Sequence, residues 1–207
     1  MILSATVSFL SFIKRNVCRL SARAVSAEDF DATVKAAVEI LTSSEGAVIH
    51  SRVRARILRD LITCGAGSGA DCRAVVESAV RDCGSEAVQN EWEAVQAKIP
   101  ARDGDSVWGE AALSSEYLDA VESFGKACPD PGNFQSALLG LATCGSFKEG
   151  VRRNLLAGGC NCSRANFLGA CLGAAYGLGA EHGIPLEWVE KTDKGAEVLE
   201  LMLALLE

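Results

Sequence analysis

GGCNCSRANFLGACLGAAYG, residues 158–177, is the stretch of sequence that says most about the fold and chemistry of this chain. Two glycines open it, a Cys-Asn-Cys-Ser run follows, and Gly169, Gly173 and Gly177 then recur at every fourth position. Small residues at this spacing lie on one face of a helix, where a neighbouring element can approach closely. A glycine-rich turn that leads into a helix can present backbone N–H groups to a charged group. The stretch therefore predicts a buried helix that begins at a candidate binding turn.

Helical periodicity continues through most of the chain on either side of this stretch. Apolar residues recur three and four positions apart, and no segment alternates as a strand would. Ser26, with Asp29 three positions on, has the form of a helix N-cap. Pro185 suits the first turn of a late helix, and turn residues mark loops at 65–69, 99–106 and 128–134. The predicted helices lie at about 27–41, 48–64, 70–82, 86–98, 114–124, 133–142, 147–156, 162–178 and 199–206. The pattern predicts an all-α fold.

Composition narrows the class of protein. The chain has 207 residues, of which 49% are hydrophobic and 23% charged, as expected of one globular domain or a domain with an extension. Its formal net charge is −7, which argues against nucleic acid as a partner, because such binders concentrate Lys and Arg. Residues 165–180 carry no charge, but 16 residues are too few to cross a bilayer, so no membrane span is expected.

The first 27 residues differ from the rest of the chain. They contain Lys14, Arg15, Arg19 and Arg23, many serines and no acidic residue. This composition suits a transit-like segment or another basic extension. The alternative is a core helix of a larger domain, and the sequence leaves the two open. We therefore divide the chain into an extension at 1–27 and a helical domain at 28–207, with a mitochondrial or cytoplasmic location expected.

Nine cysteines are scattered along the chain without a Cys-x-x-Cys pair. A secreted disulfide scaffold would be smaller and more regularly spaced. Most of these cysteines lie among apolar residues, where a thiol behaves as a small hydrophobic group. The pattern predicts a reducing compartment.

A set of short motifs follows in fixed order within residues 133–192. The run VRRN (151–154) ends one predicted helix, the Gly-Gly-Cys turn and the Gly/Ala-rich helix come next, and IPLEW (184–188) follows. In order and spacing these parts strongly resemble the C-terminal portion of the ADP-ribosylglycohydrolase family, in the branch of the J1-type crystallins. The resemblance implies an all-α, orthogonal multi-helix bundle. It reaches back weakly to about residue 28, so we expect residues 28–207 to be a partial domain whose N-terminal part is missing.

The same resemblance assigns roles to the turn at residue 160. Active family members read Gly-Asp-x-Asp-Thr/Ser there, and the turn contributes to a two-Mg²⁺ site that holds ADP-ribose. By position, Cys160 and Cys162 stand in place of the two acids, and Ser163 in place of the hydroxyl ligand. Mg²⁺ prefers carboxylate and water oxygens, whereas thiolates are soft ligands. The adjacent aspartate pair that supplies the family's other ligands occurs nowhere in the chain.

These substitutions lead to an expected function. We expect no bound cofactor and no catalytic residue, and hence an inactive relative that serves as a structural or binding component of a larger assembly. A protein partner or a homo-oligomer is the expected form of that assembly. The alternative is a fragmentary or diverged hydrolase that still cleaves an N- or O-glycosidic bond of ADP-ribose with Mg²⁺.

Other interpretations of the turn stay open at this point. A Cys-x-Cys pair can bind zinc, but a structural zinc site needs four ligands, and no motif brings His50 or His182 to residue 160. A Cys160 nucleophile lacks a placed base, and a disulfide between residues 160 and 162 would be strained. Packing, or drift that left two cysteines without a joint function, is the favoured account of this pair. A phosphate or ADP-ribose group could bind four residues of this turn. The alternative is that Arg164 is a surface residue and that the glycines only permit the turn. Those four residues are Gly158, Gly159, Asn161 and Arg164.

Overall fold

The computed structural model describes residues 26–64, 71–99 and 115–203, which form helices joined by turns and one isolated β-bridge between Leu178 and Ile184. The all-α prediction is confirmed. Most of the predicted extension at 1–27, the turn at 65–69 and most of the loop at 99–106 lie outside the described residues. The helices of the described residues are α1 (Ala27–Glu39), α2 (Glu45–Thr63), α3 (Cys72–Arg81), α4 (Glu86–Gln96), α5 (Ser115–Phe124), α6 (Gly132–Thr143), α7 (Phe147–Ala157), α8 (Asn161–Tyr176), α9 (Leu186–Glu190) and α10 (Gly195–Leu203).

Polar side chains cap the N-termini of several of these helices by accepting hydrogen bonds from otherwise unpaired backbone N–H groups. The predicted cap at Ser26 is confirmed, since its hydroxyl accepts the N–H of Asp29 at 3.1 Å. Asp71 caps α3 and Ser146 caps α7 in the same way. Pro185 was expected in the first turn of a helix, but it lies one residue earlier, at the N-cap of α9. The predicted starts of α1 and α7 agree with the structure, whereas α2 begins about three residues and α10 about four residues earlier than predicted.

Helix α6 forms the centre of the core. Every residue of α6 except Ala142 is buried, and the helix packs against α3, α4, α5, α7 and α8. Helix α8 adds an apolar face that contacts α2, α6 and α7. Burial of this apolar surface is the main source of stability for such a bundle. The buried residues of that face are Phe167, Leu168, Cys171, Leu172 and Ala175.

The small residues of α8 face side chains, one of which, Phe147, belongs to the adjacent helix α7. A Cβ atom at Gly173 would lie 3.2 Å from the Ile184 side chain, and at Gly169 it would lie 3.9 Å from Phe147. A further close contact between the two helices is made by Gly150 of α7, whose missing side chain leaves room for Leu172. Spacing on one helix could not show this, because the small residue that admits α8 belongs to its partner. None of the described helices is long and apolar enough to cross a bilayer.

Candidate functional site

The turn between α7 and α8 depends on two glycines. Gly158 and Gly159 have φ values of 66° and 62°, in the left-handed region that residues with a Cβ atom rarely adopt. Cys160 then occupies the N-cap of α8, without a side-chain cap bond. The predicted turn and the predicted helix are both confirmed.

A second segment, residues 125–131 between α5 and α6, packs against this turn. The N–H of Cys160 donates to the carbonyl oxygen of Lys126 at 2.8 Å. A Cβ atom at Gly159 would lie only 2.6 Å from that same carbonyl oxygen. The absence of a side chain at residue 159 therefore lets the two backbone segments touch. This contact brings Cys128 beside the turn.

Three thiols and a hydroxyl come together at the start of α8, and we call Cys128, Cys160, Cys162 and Ser163 the thiol cluster. The Cys128 Sγ atom lies 2.6 Å from the Cys160 Sγ atom. The Cys160 Sγ atom also lies 2.9 Å from the Ser163 Oγ atom. Cys162 is exposed, whereas Cys128 and Cys160 are half-buried. The Cys160 thiol thus has two polar neighbours, Cys128 and Ser163, and the role of the two cysteines of the turn stays a prediction.

The contacts of the thiol cluster make its two paired cysteines unequal. Burial raises the pKa of Cys160, but hydrogen bonds with Cys128 and Ser163 outweigh it and lower the pKa. The same hydrogen bond to Cys160, together with burial, raises the pKa of Cys128. Cys160 is thus the better thiolate of the pair, because donors surround its sulfur. Sequence reasoning missed Cys128, which lies 32 positions away and belongs to no motif shared with the turn.

Arg164 lies in the interior rather than on the surface. Only 2% of it is exposed, its Nε atom donates to Asn154 Oδ1 at 2.9 Å and its Nη2 atom donates to the Gly158 carbonyl. Asn154 in turn donates to the carbonyl of Asn161 at 2.8 Å. Burial lowers the pKa of Arg164. The surface interpretation of Arg164 is wrong, and its bonds connect the end of α7 to the start of α8.

Anion binding at the turn stays a prediction. Gly158, Gly159 and Asn161 are all present at the N-terminus of α8, as expected. However, two guanidinium nitrogens of Arg164 are already hydrogen-bonded. The Nη2 atom donates to the Gly158 carbonyl, and the Nε atom donates to Asn154. The N–H groups of Cys160 and Asn161 are bonded as well, to the carbonyls of Lys126 and Gly159. An anion at this turn would therefore have to use the remaining N–H groups or the Arg164 Nη1 atom, which is buried without a hydrogen-bond partner among the described residues.

An ionic network holds the 125–131 segment against α2. Arg54 donates two hydrogen bonds to the Asp130 carboxylate, at 3.0 and 2.5 Å. His50 Nδ1 lies 3.5 Å from the same carboxylate, and His50 Nε2 lies 2.8 Å from Glu91 Oε2. Arg54 also stacks over the Phe134 ring at 5.0 Å. Burial raises the pKa of Asp130, but Arg54 and His50 outweigh it, and the net pKa is lowered. This network positions the segment that carries Cys128.

The residues at the turn do not fit a magnesium ion. Cys160 and Cys162 offer soft sulfur donors where a hard cation requires carboxylate oxygens, and Ser163 supplies one hydroxyl. Within the described residues, no group of three or more His, Cys, Asp or Glu side chains is arranged to hold a metal ion. The zinc interpretation therefore has no four-ligand set in this part of the chain.

Comparison with known proteins shows the family of this chain. The family model for ADP-ribosylglycohydrolase matches residues 15–207, and the chain belongs to that family. It is similar to Crystallin J1A of Tripedalia cystophora, with 39% identity over 82 residues, which is 40% of this chain and 24% of that protein. It is also similar to Crystallin J1B of the same organism, with 35% identity over 99 residues, 48% of this chain and 29% of that protein.

These matches cover only part of each relative. The chain aligns with less than a third of the length of each crystallin. The family match begins at residue 15, inside the segment assigned above to a basic extension, and the boundary at 27/28 stays a prediction. No solved structure was found to match the chain significantly.

Proposed function

We propose that this chain is a member of the ADP-ribosylglycohydrolase family without hydrolase activity, and that it acts as a structural or binding component of a larger assembly. The observation that carries the proposal is the thiol cluster. By the resemblance of the turn to the family motif, Cys160 and Cys162 correspond to its two metal-binding acids, and the Cys160 sulfur lies against Cys128 and Ser163. The names of the two matched relatives, Crystallin J1A and Crystallin J1B, state no enzymatic activity.

The chemical reason is the mismatch between ligand and ion. Each carboxylate of a magnesium site supplies a negative charge and hard oxygen donors. A thiol at the same position supplies a softer and larger donor, and it is mostly protonated near neutral pH unless its environment stabilises the thiolate. Two such replacements at one turn remove both of its charged ligands. ADP-ribose hydrolysis that depends on the ion then loses its means of holding the substrate.

An assay of ADP-ribose release tests the first half of the proposal. We expect no release from ADP-ribosylated peptides, in the presence of millimolar Mg²⁺, above the rate without protein. Turnover that appears with Mg²⁺ and disappears with EDTA would contradict the proposal and support the active hydrolase. The matched variant carries Cys160→Asp with Cys162→Asp. We expect it to be inactive too, because this chain contains no adjacent aspartate pair to complete the site.

A measurement of self-association tests the second half of the proposal, the role in a larger assembly. Apolar side chains that are exposed in quantity favour association with another surface. Leu155 and Leu156, adjacent at the end of α7, are 57% and 58% exposed. We expect sedimentation equilibrium to give a mass above the 21.7 kDa of one chain, and Leu155→Lys with Leu156→Lys to lower it. A wild-type mass of one chain over a hundredfold concentration range would contradict assembly by self-association.

A further inference from the structure

The thiol cluster contains a pair of sulfur atoms that are closer than unbonded sulfur atoms normally approach. Cys128 and Cys160 come from separate segments, and their Sγ atoms are 2.6 Å apart. We propose that Cys128 and Cys160 form a redox modification site, at which a small oxidised disulfide such as glutathione disulfide converts the two thiols into an intramolecular disulfide bond. The site is independent of the proposed function, because it requires neither activity nor its absence.

Distance favours a disulfide over a shared metal ion at this pair. Two thiolates bound to one tetrahedral zinc ion, each about 2.3 Å from it, have sulfur atoms about 3.8 Å apart. The observed separation of 2.6 Å is much shorter and approaches the S–S bond of about 2.05 Å. The pair would have to separate to admit a metal, whereas it needs only a small adjustment to form a bond.

The backbone already holds the two segments in place for that bond. The Cys160 N–H is bonded to the Lys126 carbonyl, two residues before Cys128. On the other side of Cys128, Asp130 is held by the two hydrogen bonds from Arg54. A disulfide requires the two Cα atoms to lie within about 7 Å without backbone movement, and contacts on either side of Cys128 restrict it to this position. Both thiols are half-buried rather than enclosed, so a small disulfide can reach them.

The chemistry proceeds by two thiol–disulfide exchanges. The Cys160 thiolate attacks one sulfur of glutathione disulfide, which forms a mixed disulfide on Cys160 and releases one glutathione thiolate. The Cys128 sulfur, after losing its proton to solvent, attacks the Cys160 sulfur and releases the second glutathione. The two cysteines lose two electrons and two protons in total, and one glutathione disulfide becomes two glutathione thiols.

The new bond would join the 125–131 segment covalently to the start of α8. It would close a loop between positions 32 residues apart, and closing a loop of that size restricts the unfolded chain. We expect the melting temperature of the oxidised protein to exceed that of the reduced protein by about 5 to 10 °C. Oxidation would thus stabilise the turn that replaces the family's metal site.

Oxidation of the purified full-length chain tests the proposal. The fully reduced protein is incubated with glutathione disulfide, the remaining thiols are alkylated, and the products are mapped by mass spectrometry. We expect a loss of two hydrogen atoms per chain, about 2 Da, without a retained glutathione. Trypsin and chymotrypsin together should yield a linked pair of peptides, because cleavage after Lys126, Phe134 and Arg153 separates Cys128 from Cys144 and from Cys160.

Two single variants separate this pair from the neighbouring thiol. Cys162→Ser should form the same linked peptides as wild type. Cys128→Ser should keep a glutathione adduct on Cys160, since no second thiol resolves it, and should show no rise in melting temperature. A link between residues 160 and 162 in wild type, or a stable glutathione adduct on wild-type Cys160, would overturn the proposal. Equal amounts of zinc and protein after purification, with both thiols protected from oxidation, would overturn it as well.

Discussion

Gly159→Ala should lower the free energy of unfolding by about 3 to 5 kcal/mol. The backbone at residue 159 has a φ of 62°, which costs a residue with a Cβ atom about 1 to 2 kcal/mol. The added methyl group would also meet the Lys126 carbonyl oxygen at 2.6 Å. Backbone atoms cannot rotate away as the end of a long side chain can, so the turn and the 125–131 segment would have to separate.

Gly84→Ala is the matched control for this prediction. Its φ is 68°, close to that of residue 159, but a Cβ atom there has no other atom within 4 Å. It should therefore show only the backbone cost of about 1 to 2 kcal/mol. Urea unfolding followed by circular dichroism measures both variants. Equal losses of stability in the two would show that the close contact with Lys126 is unimportant.

Arg54→Met should destabilise the protein by about 2 to 4 kcal/mol at pH 7. Methionine preserves much of the apolar volume of the side chain but leaves the Asp130 carboxylate without its two strongest donors. The side chain of Asp130 is 25% exposed and that of Arg54 is 13% exposed. Solvent therefore screens the pair partly, and the cost is smaller than for a fully enclosed ion pair.

A double-mutant cycle with Asp130→Asn separates the pair from the rest of the network. The double variant should be more stable than the sum of the two single losses predicts, with a coupling free energy of about 1.5 to 3 kcal/mol. The free energies of unfolding of all four proteins are measured with urea at one salt concentration. Additive losses would mean that Arg54 and Asp130 act separately, for example through the stacking of Arg54 on Phe134.

The effect of Arg54→Met should also depend on pH in a defined direction. The pKa of Asp130 is lower in the folded protein than its ordinary value, so the ionised carboxylate stabilises the fold. That stabilisation is fully present above the unfolded pKa of about 3.9. It is lost as the pH falls through the lower pKa of the folded state. The cost of Arg54→Met should therefore be larger at pH 7 than at pH 3, and a constant cost would contradict an ionic role.

Local sequence was sufficient for much of the helical structure. Ser26 and Asp29 predicted the start of α1, and the two glycines at 158 and 159 predicted the turn before α8. These features depend on groups a few residues apart, whose geometry is set by the backbone between them. Local sequence did not indicate which groups distant in the chain would pair. Asp130 belongs to a predicted Pro/Gly turn, and its partners Arg54 and His50 lie more than 70 residues earlier.

The sequence alone was enough to predict the all-α class and the position of the turn at residue 160. Both follow from residue type and short-range spacing, whereas the expected mismatch between the thiols of the turn and magnesium rests on the family resemblance. Only the tertiary structure decided that Arg164 is buried and that Cys160 has Cys128 as its neighbour. The reason is physical: the contact arises because α5, α6, α7 and α8 pack around a common core, which brings together two loops 32 residues apart in the chain. Short-range periodicity specifies which face of a helix is apolar, but the packing of several helices specifies which loops meet.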